Sequence, residues 1–263
     1  MAKKLATLVM VVVFIVSAGI LNTMPRVTAQ SDECAGLPDH ATLLAALSAA
    51  RADANGGLNL DMWATVVNRD GVVCAVVFTG ADRGAQWPGS RVISAQKANT
   101  ANAFSLPGLA LSTANLFSAV QPGGSLFGLQ ESNPVDTAVA YGGKAEDFGQ
   151  PKDPMVGHRL GGVNVFGGGL PLYASDGTLV GAIGVSGDTS CADHNIAWKT
   201  RDQLALDYVP GGVSATGDDN IIYDIAPDAN GHPASASGFG HPVCSADATT
   251  IGEALPTTHP IGS

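Results

Sequence analysis

Apolar and polar positions follow two different periods along this chain, and each period predicts its own elements. From Asp39 to Asn55 (DHATLLAALSAARADAN) apolar residues recur at helical spacing, with Asp39 placed to cap the start and Gly56-Gly57 to end the helix. Met62–Asn68 and Val72–Thr79 are apolar runs of strand length, joined by Arg69-Asp70-Gly71, and an Asp-Gly step between such runs predicts a hairpin. Ser90 to about Ser105 returns to helical character, with Ser94, Ala98 and Ala101 forming a face of small residues. A short helix is expected over Leu111–Ala119. Residues 120–162 are rich in Gly, Pro, Asn and Asp and predict a long loop or insertion.

The stretch from Gly167 to Asp207 is the most informative. Val163–Phe166 is strand-like, Gly167-Gly168-Gly169 permits a sharp bend, and Ser175-Asp176-Gly177 is a second hairpin turn. In Thr178–Ser186 (TLVGAIGVS), Leu179, Ile183 and Val185 fall on one face. Val180, Ala182 and Gly184 fall on the other, which is nearly bare, so a helix, another sheet or a flat ligand must approach it closely. The closing helix begins near Ser190, which with Asp193 forms an acidic form of the capping box, supported by Asp188. Beyond Val209 only Asn220–Ile225 resembles a strand, and residues 210–263 read as an ordered extension held by Cys244 with a frayed end. The order helix, hairpin, helices, hairpin, helix predicts an α+β fold: one antiparallel sheet with helices packed against it.

The N-terminus changes the remaining counts. Lys3 and Lys4 precede an apolar run from Leu5 to about Leu21, and Val27-Thr28-Ala29 offers small residues at a cleavage position. Residues 1–29 therefore read as a secretory signal peptide, which places the mature chain in the periplasm or outside the cell. The alternative is an uncleaved anchor, but no second run approaches spanning length, so no stable membrane insertion is expected after cleavage. The exported part carries 10 basic and 23 acidic side chains, a formal charge of −13, which argues against nucleic acid and anionic membranes as partners.

All four cysteines, Cys34, Cys74, Cys191 and Cys244, lie in the exported part, and an even count in an oxidising compartment points to two disulfides. The sequence leaves all three connectivities open. Cys191–Cys244 with Cys34–Cys74 is favoured, because each bond would join an extension to the body.

Common catalytic and nucleotide motifs are absent from the sequence, with neither a phosphate-binding loop nor a zincin helix. Gly184-Val185-Ser186-Gly187-Asp188 resembles a nucleophile elbow with the wrong fifth residue, so Ser186 reads better as a strand end. His194, in the first turn of the closing helix beside Trp198, could ligate a metal or haem iron or act as a base; otherwise it is a surface histidine held by Asp193 or Asp188. His158 and Arg159 in a glycine-rich loop suit an anionic group such as a carboxylate or a haem propionate. A Cys191–Cys244 bond would bring His241 close to His194. Lys97, alone on a helix of small residues, is expected to reach solvent along its stem. His40, His232 and His259 read as helix-start, loop and tail residues without a role.

Several of these stretches are shared with one family. Gly168-Gly169-Leu170-Pro171-Leu172, the run from Asp176 to Gly187, and Asp193 on the following helix resemble the GlcG/HbpS family of haem-binding-type domains. Ser90–Ala101, with Ala95, Lys97, Ala98, Thr100 and Ala101, and the turn Asn68-Arg69-Asp70-Gly71 support the resemblance, which covers about residues 38–208. It implies a compact fold with an antiparallel sheet of about five strands, frequent assembly into homo-oligomers, and haem as a cofactor in some members; related domains are fused to corrinoid enzymes. The signal peptide, the 120–162 loop and the extension over 209–263 depart from a minimal member. No haem ligand carries over by residue, so His194, His158, Arg159 and His241 stand as candidates on their chemistry, His194 also as a metal ligand. The expected function is an exported protein that binds haem non-covalently for storage, transport or sensing. The alternatives are a periplasmic enzyme using His158, Arg159, His194 and Asp193 on a small carboxylated metabolite, and a ligand-free oligomeric interaction module.

Overall fold

The structure is a computed structural model that describes residues 32–262; the predicted signal peptide lies outside the described residues. Helix α1 (His40–Ala52) starts where Asp39 Oδ1 accepts the Thr42 amide at 2.8 Å, an N-cap bond that satisfies one of the first-turn donors. Strands β1 (Trp63–Asn68) and β2 (Val73–Phe78) form the first hairpin. Its turn is closed by the Asn68 carboxamide, which accepts the amides of Asp70 and Val72, while Gly71 takes a positive φ of 76°. Helix α2 spans Ser90–Phe104. Strands β3 (Gly169–Tyr173) and β4 (Leu179–Ser186) form the second hairpin, and α4 (Ser190–Gln203) closes the unit.

The sheet has four strands rather than about five, in the order β2-β1-β4-β3, antiparallel throughout. Alternation along the strands sends Ala64, Val66, Ile183 and Val185 to one face, where α1 and α4 cover them. Trp63, Val67, Val76 and Ala182 point to the other face, against Val92, Ala95, Ala98 and Ala101 of α2. A sheet covered on both faces explains why its strands read as continuous apolar runs.

The bare face of β4 is filled by α2. A Cβ on Gly184 would overlap the Ser94 carbonyl and sit 2.5 Å from the Ala98 amide nitrogen. Thr65, buried on β1 beside it, bonds Ser94 Oγ at 2.8 Å. The helix backbone therefore lies directly on the strand, and no flat ligand fits between them.

Several sequence expectations are corrected. Leu111–Ala119 forms two short 3-10 turns, Thr113–Leu116 and Ser118–Val120, not a helix. Val163–Phe166 forms no strand and ends in a bend at Phe166, and the strand expected over Asn220–Ile225 begins only at its last residue, as β5 (Ile225–Pro227) paired with β6 (Pro233–Ser235). The 120–162 segment includes helix α3 (Thr137–Tyr141) and packs inward through Ala140, Met155 and Leu160. Its Asp153 forms a buried two-point pair with Arg91, whose guanidinium lies 3.8 Å from the Phe148 ring centre. The tail is not frayed: helix α5 (Ala246–Thr258) is capped by Ser245 and packs on α4. Both favoured disulfides are present, Cys34–Cys74 and Cys191–Cys244.

Gly184→Ala is expected to cost about 1–3 kcal/mol of unfolding free energy through overpacking against the α2 backbone. Gly108→Ala, at a position with open space, should stay within about 0.5 kcal/mol of wild type. Chemical denaturation of the two variants checks this.

Candidate functional site

The polar groups concentrate where β4 hands over to α4. The helix is capped by Thr189, not Ser190: Thr189 Oγ1 accepts the Ala192 amide. Asp193 Oδ1 instead reaches back to the Asp188 amide at 2.8 Å, and its Oδ2 takes Lys97 Nζ at 2.7 Å. Lys97 also donates to the Val185 carbonyl at 3.0 Å. Only 1% of Lys97 is exposed, so its stem does not run to solvent; it turns inward to the carboxylate. Burial lowers the lysine pKa and raises that of Asp193 to about 6, against the pull of the Lys97 charge. Asp188 accepts the amides of Leu58, Leu60 and Thr189, and so fixes the loop after α1 to this handover.

Two histidines flank the first turn of α4 and lie within electrostatic reach of each other. His194 is fully buried, not a surface residue. Its Nε2 lies 3.2 Å from Asn220 Oδ1 and 3.2 Å from the Ile221 amide, while Nδ1 is buried without a hydrogen-bond partner. Burial pushes its pKa down to about 3. His241, 2% exposed, donates from Nδ1 to the Pro242 carbonyl at 2.8 Å, which leaves Nε2 to accept from Ser190 Oγ at 2.7 Å. Ser190 Oγ in turn accepts the Gly167 amide at 2.7 Å. Burial brings His241 down to about 4, so both imidazoles are neutral at pH 7. Neutral imidazoles can ligate metals or accept protons, but neither ring lies on a surface where a haem-sized ligand can rest.

The other predicted residues sit elsewhere. The exposed His158 and Arg159 line the edge of β2: the Val73 amide donates to the His158 carbonyl, and Arg159 Nε donates to the Asp70 carbonyl at 2.8 Å. That is the Asn68 end of β1, whereas the α4 start follows Ser186, which pairs with Trp63 at the other end. Five strand steps separate the two ends, roughly 17 Å. His158, Arg159, Asp193 and His194 are therefore not gathered around one small molecule. Ser186 is a buried strand end in register with Trp63.

One large groove lies beyond His241, with a volume of about 980 Å³. The segment Phe117–Ser125 forms one wall, and Ile225, residues 232–235, Gly238 and Pro242 form the other. The Phe117 ring packs against His241 at 5.1 Å between ring centres. His232, read from sequence as an idle loop residue, is on the groove with a largely exposed side chain, its Nδ1 3.9 Å from Asp228 Oδ2. No local signal marks it, because its setting depends on β5 and β6 pairing. Lys97 did carry a signal, as a single charge on a face of small residues.

A family model described as "Haem degrading protein HbpS-like" matches residues 39–202, more than half of the chain. Among solved structures, Klebsiella pneumoniae protein ORFY of family DUF336 is similar at 24% identity, covering 64% of this chain and 90% of its own, with a TM-score of 0.43. A PduOC:heme complex is similar at 22% identity, covering 62% and 91%, TM-score 0.43. HbpS is similar at 18% identity, covering 61% and 83%, TM-score 0.37. No match is found among curated proteins.

The buried histidines set a pH dependence. Their folded pKa values lie below the ordinary 6.5, so as the pH falls below about 6.5 the unfolded chain takes up protons first. Their stabilisation is complete above that pH and is lost as the pH falls towards 4 and 3. Asp193 has the opposite sign: its raised pKa favours the folded state at low pH, and that gain is lost as the pH rises through about 6. Between pH 6 and 5, wild type should lose roughly 1 kcal/mol more stability than His194→Gln does. Urea denaturation at the two pH values measures the difference, and equal slopes would mean that His194 is protonated in the folded chain.

Proposed function

The chain belongs to the HbpS-like family, and from that premise we propose that it is an exported protein that binds haem non-covalently, for storage, transport or sensing. The family match over residues 39–202 carries the reading. Export rests on the charged, apolar and small-residue pattern of residues 1–29.

The groove between Phe117–Ser125 and the C-terminal extension fits the group. Its volume falls at the upper end of the ~300–1,000 Å³ range of ligand clefts. Phe117, Pro122, Ile225, Pro233 and Pro242 offer apolar walls for a flat macrocycle. His232 supplies an accessible imidazole on the groove, with the Asp228 carboxylate 3.9 Å from its Nδ1. Bound haem would supply a redox-active iron. His241 contributes from behind the wall by holding the Phe117 ring. His194 is enclosed and keeps a structural role. His158 and Arg159 sit outside the groove, so propionate contacts through them would require a second surface.

Haem titration of the purified exported protein should give a Soret band and a shift on binding. His232→Ala is expected to alter the band, and Phe117→Ala to weaken binding at least about tenfold, a loss of about 1.4 kcal/mol. His158→Ala should bind like wild type. Absence of any spectral shift, together with a single assembled mass in size-exclusion chromatography, would instead favour the ligand-free oligomeric module.

A further inference from the structure

The two disulfides sit in different environments. Cys34 and Cys74 are both buried. Cys191 is buried at the second position of α4, while its partner Cys244 is exposed. The Cys191 amide, one of the free first-turn donors of the helix, points at Cys244 Sγ at 3.2 Å. A sulfur that receives a helix N-terminal N–H is stabilised as thiolate, and exposure lets an external thiol reach it. His241 completes the cluster: the two sulfurs and a ring nitrogen all lie within 4.8 Å of one another.

We infer that Cys191, Cys244 and His241 form a redox-gated site that takes a thiophilic divalent cation of the Zn²⁺ class once the disulfide opens. Opening cleaves the S–S bond. It uses two electrons and two protons from an external dithiol, which itself closes to a disulfide. Cation binding then releases the two thiol protons to solvent. His241 moves its proton from Nδ1, where it now faces the Pro242 carbonyl, to Nε2, where Ser190 Oγ accepts it. That second bond would orient the ring from outside the metal's own ligands, the role that a hydrogen-bonded oxygen plays for ligating histidines. Tetrahedral zinc thiolates hold their sulfurs about 3.8 Å apart, a small relaxation from the bonded pair. The exposed side at Cys244 leaves a fourth position for water.

The ligands stay in place without the S–S bond because other contacts fix the extension to α4. Arg201 pairs with Asp219 through two bonds of 2.7 and 2.9 Å. Trp198 Nε1 donates to the His259 carbonyl, and Asn195 Nδ2 to the Ala248 carbonyl. Ser245, next to Cys244, donates to the Gly56 carbonyl at 2.8 Å.

The test starts from the oxidised, purified exported protein and adds a phosphine reductant stepwise, with thiol mapping by alkylation and mass spectrometry. Cys191–Cys244 should open before Cys34–Cys74, with the far-ultraviolet circular dichroism unchanged. At that stage Cd²⁺ alone should bind at one per chain, with a thiolate-to-cadmium absorption band that the oxidised protein lacks. Cys244→Ser should abolish the band, and Ser190→Ala should weaken binding about 10–100-fold. The inference is overturned by opening in the reverse order, by unfolding on selective opening, by no cadmium band, or by a band that persists in Cys244→Ser.

Discussion

Helix α4 is buried around nearly its whole circumference, yet it carries Asp193, His194, Asn195, Lys199, Thr200 and Arg201. Burying a polar group costs free energy unless a partner replaces water, and a buried charge costs more still. Most of the chain's unusual features are the partners of this one helix. Lys97 on α2 meets Asp193, Asp219 meets Arg201, and Asn220 meets His194. Lys199 is taken by the Ala54 carbonyl and Asn55, beside the partly exposed Asp53.

This requirement explains the C-terminal extension. The sheet covers one side of α4 and α1 another; α5 and the 219–221 segment supply the rest of the cover. Without those residues, Arg201, His194 and Asn195 would lose Asp219, Asn220 and the Ala248 carbonyl. Removing one member of a buried pair is strongly destabilising, since the other charge stays behind without a partner. The extension is therefore bound to the fold by buried polar contacts, and the Cys191–Cys244 bond is one constraint among several.

Much of the central unit was legible from local signals. The two Asp-Gly turns fixed both hairpins, and the small face of α2 matched the bare face of β4. These are short-range patterns, in which a turn residue or a missing side chain has one physical reading. What stayed hidden depended on contacts distant in sequence. Lys97 looked solvent-bound because its carboxylate is 96 positions away. His194 stayed open between a ligating or basic group and a surface histidine, because nothing local shows that the extension folds over it. Helix α5 (ADATTIGEALPTT) was missed because Gly252 and Pro256 lower its helical propensity, which packing on α4 overrides. His232 acquires a setting only when β5 and β6 pair.

The same distant contacts join the two candidate sites. One wall of the groove is Phe117–Ser125, which follows α2 in the chain, and the other is the extension. His241 sits at the join: its ring packs on Phe117, its Nε2 holds Ser190 at the start of α4, and its Nδ1 side faces Cys191. A change in the protonation or ligation of that ring must alter at least one of these three contacts, because an imidazole has only two nitrogens. The groove wall and the α4 N-terminus are thus coupled through one side chain. Pro242 lines the groove while its carbonyl meets both the His241 ring and Cys191 Sγ, so the cysteine pair and the groove wall share neighbouring residues.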